Sequence, residues 1–324
     1  MVVMKGRRLI SSLICLSILG LAAGGDFLLI AQEQQTASKV EPPRTVDRSF
    51  RPDITNPAYK PGKGSVVVVD EAHNNFHTSV GLYTPFALLV ERDGYVIRRG
   101  TDKIAPGLLE DCRIYVIADA QPPVHTEEPP TFSHEEVTIL NTWVREGGSL
   151  FLITDHMPDP GAVTGLAAAF GIEVKNGYAI KGPPPGPAGP LIFSRDDDTL
   201  RECIVTNGRN ASEKVMSVAT FAGSAFQAAT GFIPVLVFGP GFRIWEPEEY
   251  WKFPPGTPNA AIEGWYQGGI LEYGKGRVAF FCEAAMFTAQ VFNNGRVKAG
   301  MNHPRAAGNV RLLLNILHWL DHII

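Results

Sequence analysis

Three short polar clusters in this chain each follow an apolar run, and each carries groups able to move a proton or hold a metal. The first is Asp70-Glu71-Ala72-His73-Asn74-Asn75-Phe76-His77, after Val66 to Val69. The second is Asp155-His156, after Ser149 to Thr154, and the third is Glu283, after Arg277 to Cys282. A carboxylate beside an imidazole is the pairing that general acid–base chemistry requires. His73 and His77 are four apart, and on a helical turn they would share a face as paired metal ligands do. Their segment, H-N-N-F-H, lacks the general-base Glu of the zinc-protease motif. The competing reading is a loop whose His and Asn side chains tie down neighbouring backbone. Asp155-His156 reads either as an acid–base pair or part of a ligand set, or as a helix-capping Asp beside a backbone-bonded histidine. Glu283 ends an apolar strand, so its carboxylate needs a partner. A histidine of the site is the expected partner, and local backbone N–H groups are the alternative. The candidate catalytic residues are therefore Asp155, His156 and Glu283, with Asp155 or Glu283 as general base. Glu71, His73, Asn74 and His77 are the candidate ligand-binding residues. The residue pattern assigns neither a metal nor a cofactor.

The elements that must position these groups alternate. Val66 to Val69 is a β-branched run of the kind buried on both faces of a parallel sheet. Pro85 to Arg92 reads as a helix, and Tyr95 to Arg98 and Arg113 to Ala118 as strands, the latter ending at Asp119. Ser133 and Glu136 form a capping box, Val137, Leu140, Trp143 and Val144 follow at helical spacing, and Gly147-Gly148 ends the helix. Ser149 to Thr154 is the next strand, Gly161 to Phe170 a helix, and Glu173 to Tyr178 a strand. Strands and helices alternating at this spacing predict a parallel sheet with right-handed crossovers. In such a sheet ligands bind at the carboxyl ends of the strands, which is where the three polar clusters fall.

The second half is less regular. Gly182 to Pro190 is a stiff, proline-rich loop, and Val215 to Phe221 and Ile233 to Phe238 read as strands. Gly239 to Ile262 carries no clear element. Gly268 to Tyr273 and Arg277 to Cys282 form a hairpin around Gly274-Lys275-Gly276. Asn309 to His322 is an amphipathic helix with Leu312, Leu313, Ile316, Leu317 and Leu320 on its buried side.

The chain begins with a basic stretch, Lys5, Arg7 and Arg8, followed by an apolar run from Leu9 to Ala23 and small residues at Ala22 to Gly25. This is the pattern of a secretory leader, ending there or after Ala31. The alternative is an uncleaved membrane anchor over Leu9 to Ala31, although Asp26 would be costly inside a bilayer. Cys15 lies too early, behind too poor a lipobox, for a lipoprotein. Residues 1–31 thus read as leader or anchor, 32–64 as a polar, proline-bearing flexible linker, and 65–324 as the folded domain. The location expected is extracytoplasmic, periplasmic or secreted, with membrane contact only through an uncleaved N-terminus. The formal charge of -4 becomes -6 once the leader is removed, because its three cations outweigh Asp26 by two. An acidic body offers no footprint for nucleic acid. Cys112, Cys203 and Cys282 allow at most one disulfide, match no zinc spacing, and read as small side chains of the interior.

Two patterns are decoys. Gly269 to Lys275 fits G-x-x-x-x-G-K, but Gly276 replaces the Ser or Thr and the match lies across a hairpin. No G-x-S-x-G elbow is present, so a standard serine hydrolase is not expected. Trp245, Tyr250, Trp251, Trp265 and Tyr266 crowd the long loop beside Glu246, Glu248 and Glu249. They read first as anchors of that loop on the core, and second as a sugar-binding face. Asn210-Ala211-Ser212 is a glycosylation sequon.

The stretches VVVVDEAHNNFHT (66–78), WVREGGSLFLITDH (143–156), YGKGRVAFFCEAAMF (273–287) and NVRLLLNILHWL (309–320) together resemble the class I glutamine amidotransferase-like superfamily. Within it, the trehalose-utilisation (ThuA-like) and related uncharacterised bacterial families are the most similar. The resemblance spans most of the chain after residue 65. It implies a flavodoxin-like, doubly wound, mostly parallel α/β sheet, with a less regular C-terminal half and a C-terminal helix. True amidotransferases place a nucleophilic Cys in the turn that here reads Thr154-Asp155-His156. Their later His-x-Glu pair is replaced by Cys282-Glu283-Ala284, so glutaminase activity is not expected. Two functions remain in view. One is a small-molecule site at the strand ends, for carbohydrate among other ligands, hydrolytic if catalytic. The other is a non-catalytic binding or assembly module on the same fold.

Overall fold

The computed structural model describes residues 44–123, 130–187 and 189–324. The leader reading and Cys15 fall outside the described residues. The central sheet has nine strands: β1 (Val66–Asp70), β2 (Val96–Gly100), β3 (Ile114–Ala118), β4 (Ser149–Ile153), β5 (Ile172–Val174), β6 (Phe226–Ala228), β7 (Ile233–Val237), β8 (Tyr266–Tyr273) and β9 (Gly276–Phe281). Their order is β2-β1-β3-β4-β9-β8-β6-β5, with β7 also pairing β8. The first five run parallel. The other four are antiparallel. The sheet is thus mixed, where a mostly parallel one was expected. The cause is the hairpin: once β8 turns back on β9, β7 and β6 add to its free edge, and a short antiparallel return needs no crossover helix. Gly274, at φ +64, makes that turn, and a side chain there would strike the Arg145 backbone.

Four helices matter to the site: α1 (Thr84–Arg92), α2 (His134–Glu146), α3 (Asp159–Ala168) and α4 (Ala307–Leu320). They lie on both faces of the sheet, and the two-residue period of the strands assigns the faces. Val67 and Val69 of β1, Ile114 and Val116 of β3, and Phe151 and Ile153 of β4 pack with Phe86 and Leu89 of α1 and Leu312, Leu313 and Ile316 of α4. The intervening Val68, Tyr115, Ile117, Leu150 and Leu152 pack with Leu140 and Val144 of α2 and Val163 and Leu166 of α3. The capping box of α2 forms as expected: Ser133 Oγ accepts from the Glu136 N–H, and Glu136 accepts in return from the Ser133 N–H at 2.9 Å. In α4 the five predicted core residues are all fully buried.

Elsewhere the structure departs from expectation. The strand expected over Glu173 to Tyr178 is split between β5 and a separate strand, Tyr178–Lys181. The stretch Gly239 to Ile262 is not featureless: Phe242–Trp245 pairs both Tyr178–Lys181 and Asn259–Ala261 in a three-stranded sheet. Thr45–Val46 pairs Gln290 and Val291, within a small sheet with Val297–Gly300. Farther along the expected linker, the Ala58 N–H donates to Asp93 at 2.8 Å, and the Tyr59 hydroxyl donates to Asp321 at 2.5 Å. Cys112, Cys203 and Cys282 are free thiols. Among the described residues no helix is long and apolar enough to cross a membrane.

Candidate functional site

Because β1, β3, β4 and β9 are parallel, Asp70, Asp119, Asp155 and Glu283 all emerge at one edge of the sheet. The edge nevertheless divides into separate arrangements, and the two histidines of the first cluster go to different ones.

His73 is clamped between two carboxylates. Its Nδ1 lies 2.9 Å from both oxygens of Asp70, and its Nε2 lies 2.9 Å from Glu136 Oε1. Both acceptors are carboxylates, so both ring nitrogens donate and the ring is an imidazolium. Burial alone would lower its pKa, but Asp70 and then Glu136 raise it. Burial likewise opposes the Glu136 charge, yet the Ser133 N–H and His73 bring its pKa down to about 2. The Tyr115 hydroxyl and Asn75 amide complete Asp70, at 2.8 and 3.0 Å, and the ring stacks on Phe132. With both nitrogens spent and 3% exposure, His73 pins the loop after β1 to the first turn of α2. Its partners are Asp70 and Glu136 rather than Glu283.

Glu71 is held in a similar way. It accepts from the Ser79 N–H and hydroxyl at 2.9 and 2.6 Å, and from Arg99 on β2 at 2.6 Å. Asn74 is an exposed residue at φ +52, a left-handed turn position that Asn tolerates well. Neither residue reaches the groups around Asp155.

His77 does. Its ring is 2% exposed and stacked on Tyr83, its Nε2 lies 3.4 Å from Asp119 Oδ2, and its Nδ1 meets no partner. Burial, with a smaller contribution from Arg44, lowers its pKa to about 3, so the imidazole is neutral. One donor atom each from His77, Asp119 and Asp155 lie within 4.8 Å of one another, a spacing a metal ion could bridge. Asp119 ends β3 at φ +55, fixed by its N–H bond to Ile153 O and by its carbonyl accepting from Phe76 N–H. Asp159, in the first turn of α3, stands beside it. Burial, followed by the charges of Asp159 and Asp155, pushes the Asp119 carboxyl well above the usual carboxylate range. Burial also raises Asp159, to about 6. The sequence pattern names Asp119 only as the end of a strand and gives Asp159 no role in the site. Asp119 was findable, because it ends a β strand as Asp70 and Asp155 do. Asp159 carries no signal beyond its place at a helix start.

Asp155 accepts from the His156 N–H at 2.8 Å and from the Ala284 N–H at 3.3 Å. Glu283 is fully buried and bonds local backbone: its Oε2 accepts from the Met286 N–H at 2.8 Å, and its Oε1 meets no partner. The expected histidine partner is not there. Burial, then the neighbouring negative charge of Asp155, pushes the Glu283 carboxyl well above its ordinary range. Burial and the same Asp155 push the Cys282 thiol up as well, so it stands as a thiol rather than a nucleophilic thiolate.

His156 faces a different surface. Its Nδ1 donates to Met157 O at 2.8 Å, and its Nε2 is 3.9 Å from Asp155 Oδ1. The ring stacks on Tyr178 at 4.8 Å, with Trp251 at 5.2 Å and Tyr250 at 5.6 Å. The Trp251 N–H donates to the Tyr178 hydroxyl at 3.1 Å, with Trp251 at φ +54, a costly backbone conformation for a bulky residue. A small cleft opens here, lined among others by Tyr178, Lys181, Pro185, Phe221, Gly223 and Trp251. Trp251 thus ties the long loop to His156 and Tyr178, and it also walls the cleft.

No protein-family profile matches the sequence, and no curated protein does. Solved structures do. The mmIFT52 N-terminal domain superposes with a TM-score of 0.56 at 12% identity, covering 79% of this chain and 97% of that one. A cytoplasmic protein, STM3548 from Salmonella typhimurium, gives 0.46 at 13% identity, over 79% and 98% of the two chains. A ThuA-like protein from Bacteroides uniformis gives 0.42 at 13% identity, over 83% and 94%. Of these three the first superposes well enough to show a shared fold, and at its identity it shows the fold alone.

Proposed function

We propose that this chain is a binding domain for a small polar ligand of carbohydrate type, held in the cleft beside the carboxyl ends of β4 and β9. One observation carries the reading. The groups expected to do acid–base chemistry are committed to other bonds, whereas Tyr178 and Trp251 wall an open cleft next to His156. Flat rings with polar edges suit the apolar faces and hydroxyl rims of sugars. Titration with neutral mono- and oligosaccharides, followed by calorimetry, tests it. Saturable binding that Trp251→Ala abolishes is expected. Absence of binding across the panel, or binding indifferent to Trp251→Ala, contradicts it. A second reading, a hydrolase, is favoured by His77, Asp119 and Asp155, a set of the kind that can activate water through a metal.

Two further parts of the reading rest on sequence and topology. The parallel order β2-β1-β3-β4-β9, with helices on both faces, supports a flavodoxin-like core of the glutamine amidotransferase-like kind. The basic and apolar N-terminal stretch supports export, with sugar met outside the cytoplasm. Mass spectrometry of the N-terminus from expressing cells tests the latter, and an intact Met1 on soluble cytoplasmic protein contradicts it.

A further inference from the structure

We propose that His77, Asp119 and Asp155 bind one divalent first-row transition-metal ion of the zinc type. The three residues leave three separate segments, the loop after β1 and the ends of β3 and β4, yet their donor atoms gather within 4.8 Å of one another. Donors bound to one tetrahedral ion at about 2.1 Å stand about 3.4 Å apart. The separation of His77 Nε2 from Asp119 Oδ2 is 3.4 Å.

Two of the three side chains are also unspent in a way that His73 is not. His77 is 2% exposed with Nδ1 unpartnered, and Asp119 is 3% exposed with Oδ1 meeting no donor. Leaving a buried polar atom unmatched is unfavourable, so such atoms are retained where something else satisfies them. One imidazole with two carboxylates selects zinc, cobalt or manganese over magnesium and calcium, which prefer all-oxygen ligands. This site is independent of the sugar cleft proposed above, since it uses none of the residues lining it.

The test uses the untagged chain, stripped with a chelator and titrated with Zn2+, Mn2+, Mg2+ and Ca2+ by calorimetry. One Zn2+ per chain is expected, bound more tightly than Mg2+ or Ca2+. Asp119→Asn and His77→Gln should each weaken Zn2+ by at least about tenfold, the loss that follows even when a group supporting a metal ligand is removed. No saturable Zn2+ binding, or unchanged affinity in either variant while circular dichroism shows it folded, overturns the proposal. Should neither variant fold, X-ray absorption on the zinc-loaded wild type decides. One imidazole with carboxylate oxygens supports the site, and ligation by two or more imidazoles or by sulfur overturns it.

Discussion

Replacing Glu136 by Gln removes one negative charge from the His73 clamp while keeping the side chain's shape. Its carboxylate receives four hydrogen bonds: from His73 Nε2 at 2.9 Å, Ile104 N–H at 3.1 Å, Ser133 N–H at 2.9 Å and Ser133 Oγ at 2.8 Å. A glutamine amide keeps one acceptor oxygen. Whichever way it turns, its NH2 meets either the His73 and Ile104 donors or the Ser133 N–H. Removing one partner of a buried ion pair costs about 3–5 kcal/mol. Some bonding survives here, and Asp70 still faces the imidazolium, so the expected loss is about 3 kcal/mol. Urea unfolding should show a lower midpoint with an unchanged slope. Glu135→Gln, on the exposed side of the same helical turn, should cost less than about 1 kcal/mol. The pH dependence has a fixed sign. The raised His73 pKa gives stability that is full below about pH 6.5 and is lost as pH rises through the folded value. The lowered Glu136 pKa gives stability that is full above about pH 4.5 and is lost as pH falls toward about 2. The pair therefore contributes most between pH 4.5 and 6.5. NMR titration should show the His73 pKa falling in Glu136→Gln. A variant within about 0.5 kcal/mol of wild type, or a His73 titration that does not move, would refute the assignment of His73 to a structural clamp.

Glu283→Gln should cost little above pH 5 and can stabilise, because a carboxyl whose pKa is raised by folding destabilises the protein once the unfolded chain ionises. Thermal melts from pH 5 to 8 check this, and a large loss of stability in that range would mean that Glu283 is folded as a stabilised anion. Gly223→Ala should destabilise by more than about 2 kcal/mol. Its φ is +106, and a Cβ would come within 2.2 Å of Cys282 O; denaturant titration with an unshifted midpoint would contradict this. No ammonia should be released from glutamine, since the turn after β4 has no thiol and Cys282 is held protonated. Release that stops on alkylation would place the nucleophile at a cysteine after all.

The hydrophobic pattern announces the parallel strands, α2 with its cap, the β8–β9 hairpin and α4, because each is encoded locally by period, cap or turn. The antiparallel half is less legible. Phe242–Trp245 and Asn259–Ala261 are short, and the other partner of Phe242–Trp245, Tyr178–Lys181, lies some 60 residues upstream of it, so the pairing leaves no local signature. At the site, the strand-end rule places Asp155, His156, His77 and Glu283 on one edge. It cannot say which groups will be spent on one another. His73 goes to Glu136 because the cap of α2 reaches back over the loop after β1, a long-range contact that neither segment reveals alone. Glu283 finds the Met286 N–H because the short turn at Ala285–Phe287 curls back onto its carboxylate. Asp119 obeys the same strand-end rule as its neighbours.

Saturation-transfer NMR on the full chain with a mixture of mono- and oligosaccharides, recorded over a day, tests the central claim most directly. The account predicts transfer to the protons of intact sugars, lost in Trp251→Ala, with the anomeric signals unchanged throughout. Absence of transfer to every sugar would contradict a carbohydrate-type ligand. New anomeric signals from released sugar would contradict a binding domain and make the His77, Asp119 and Asp155 set part of a hydrolase.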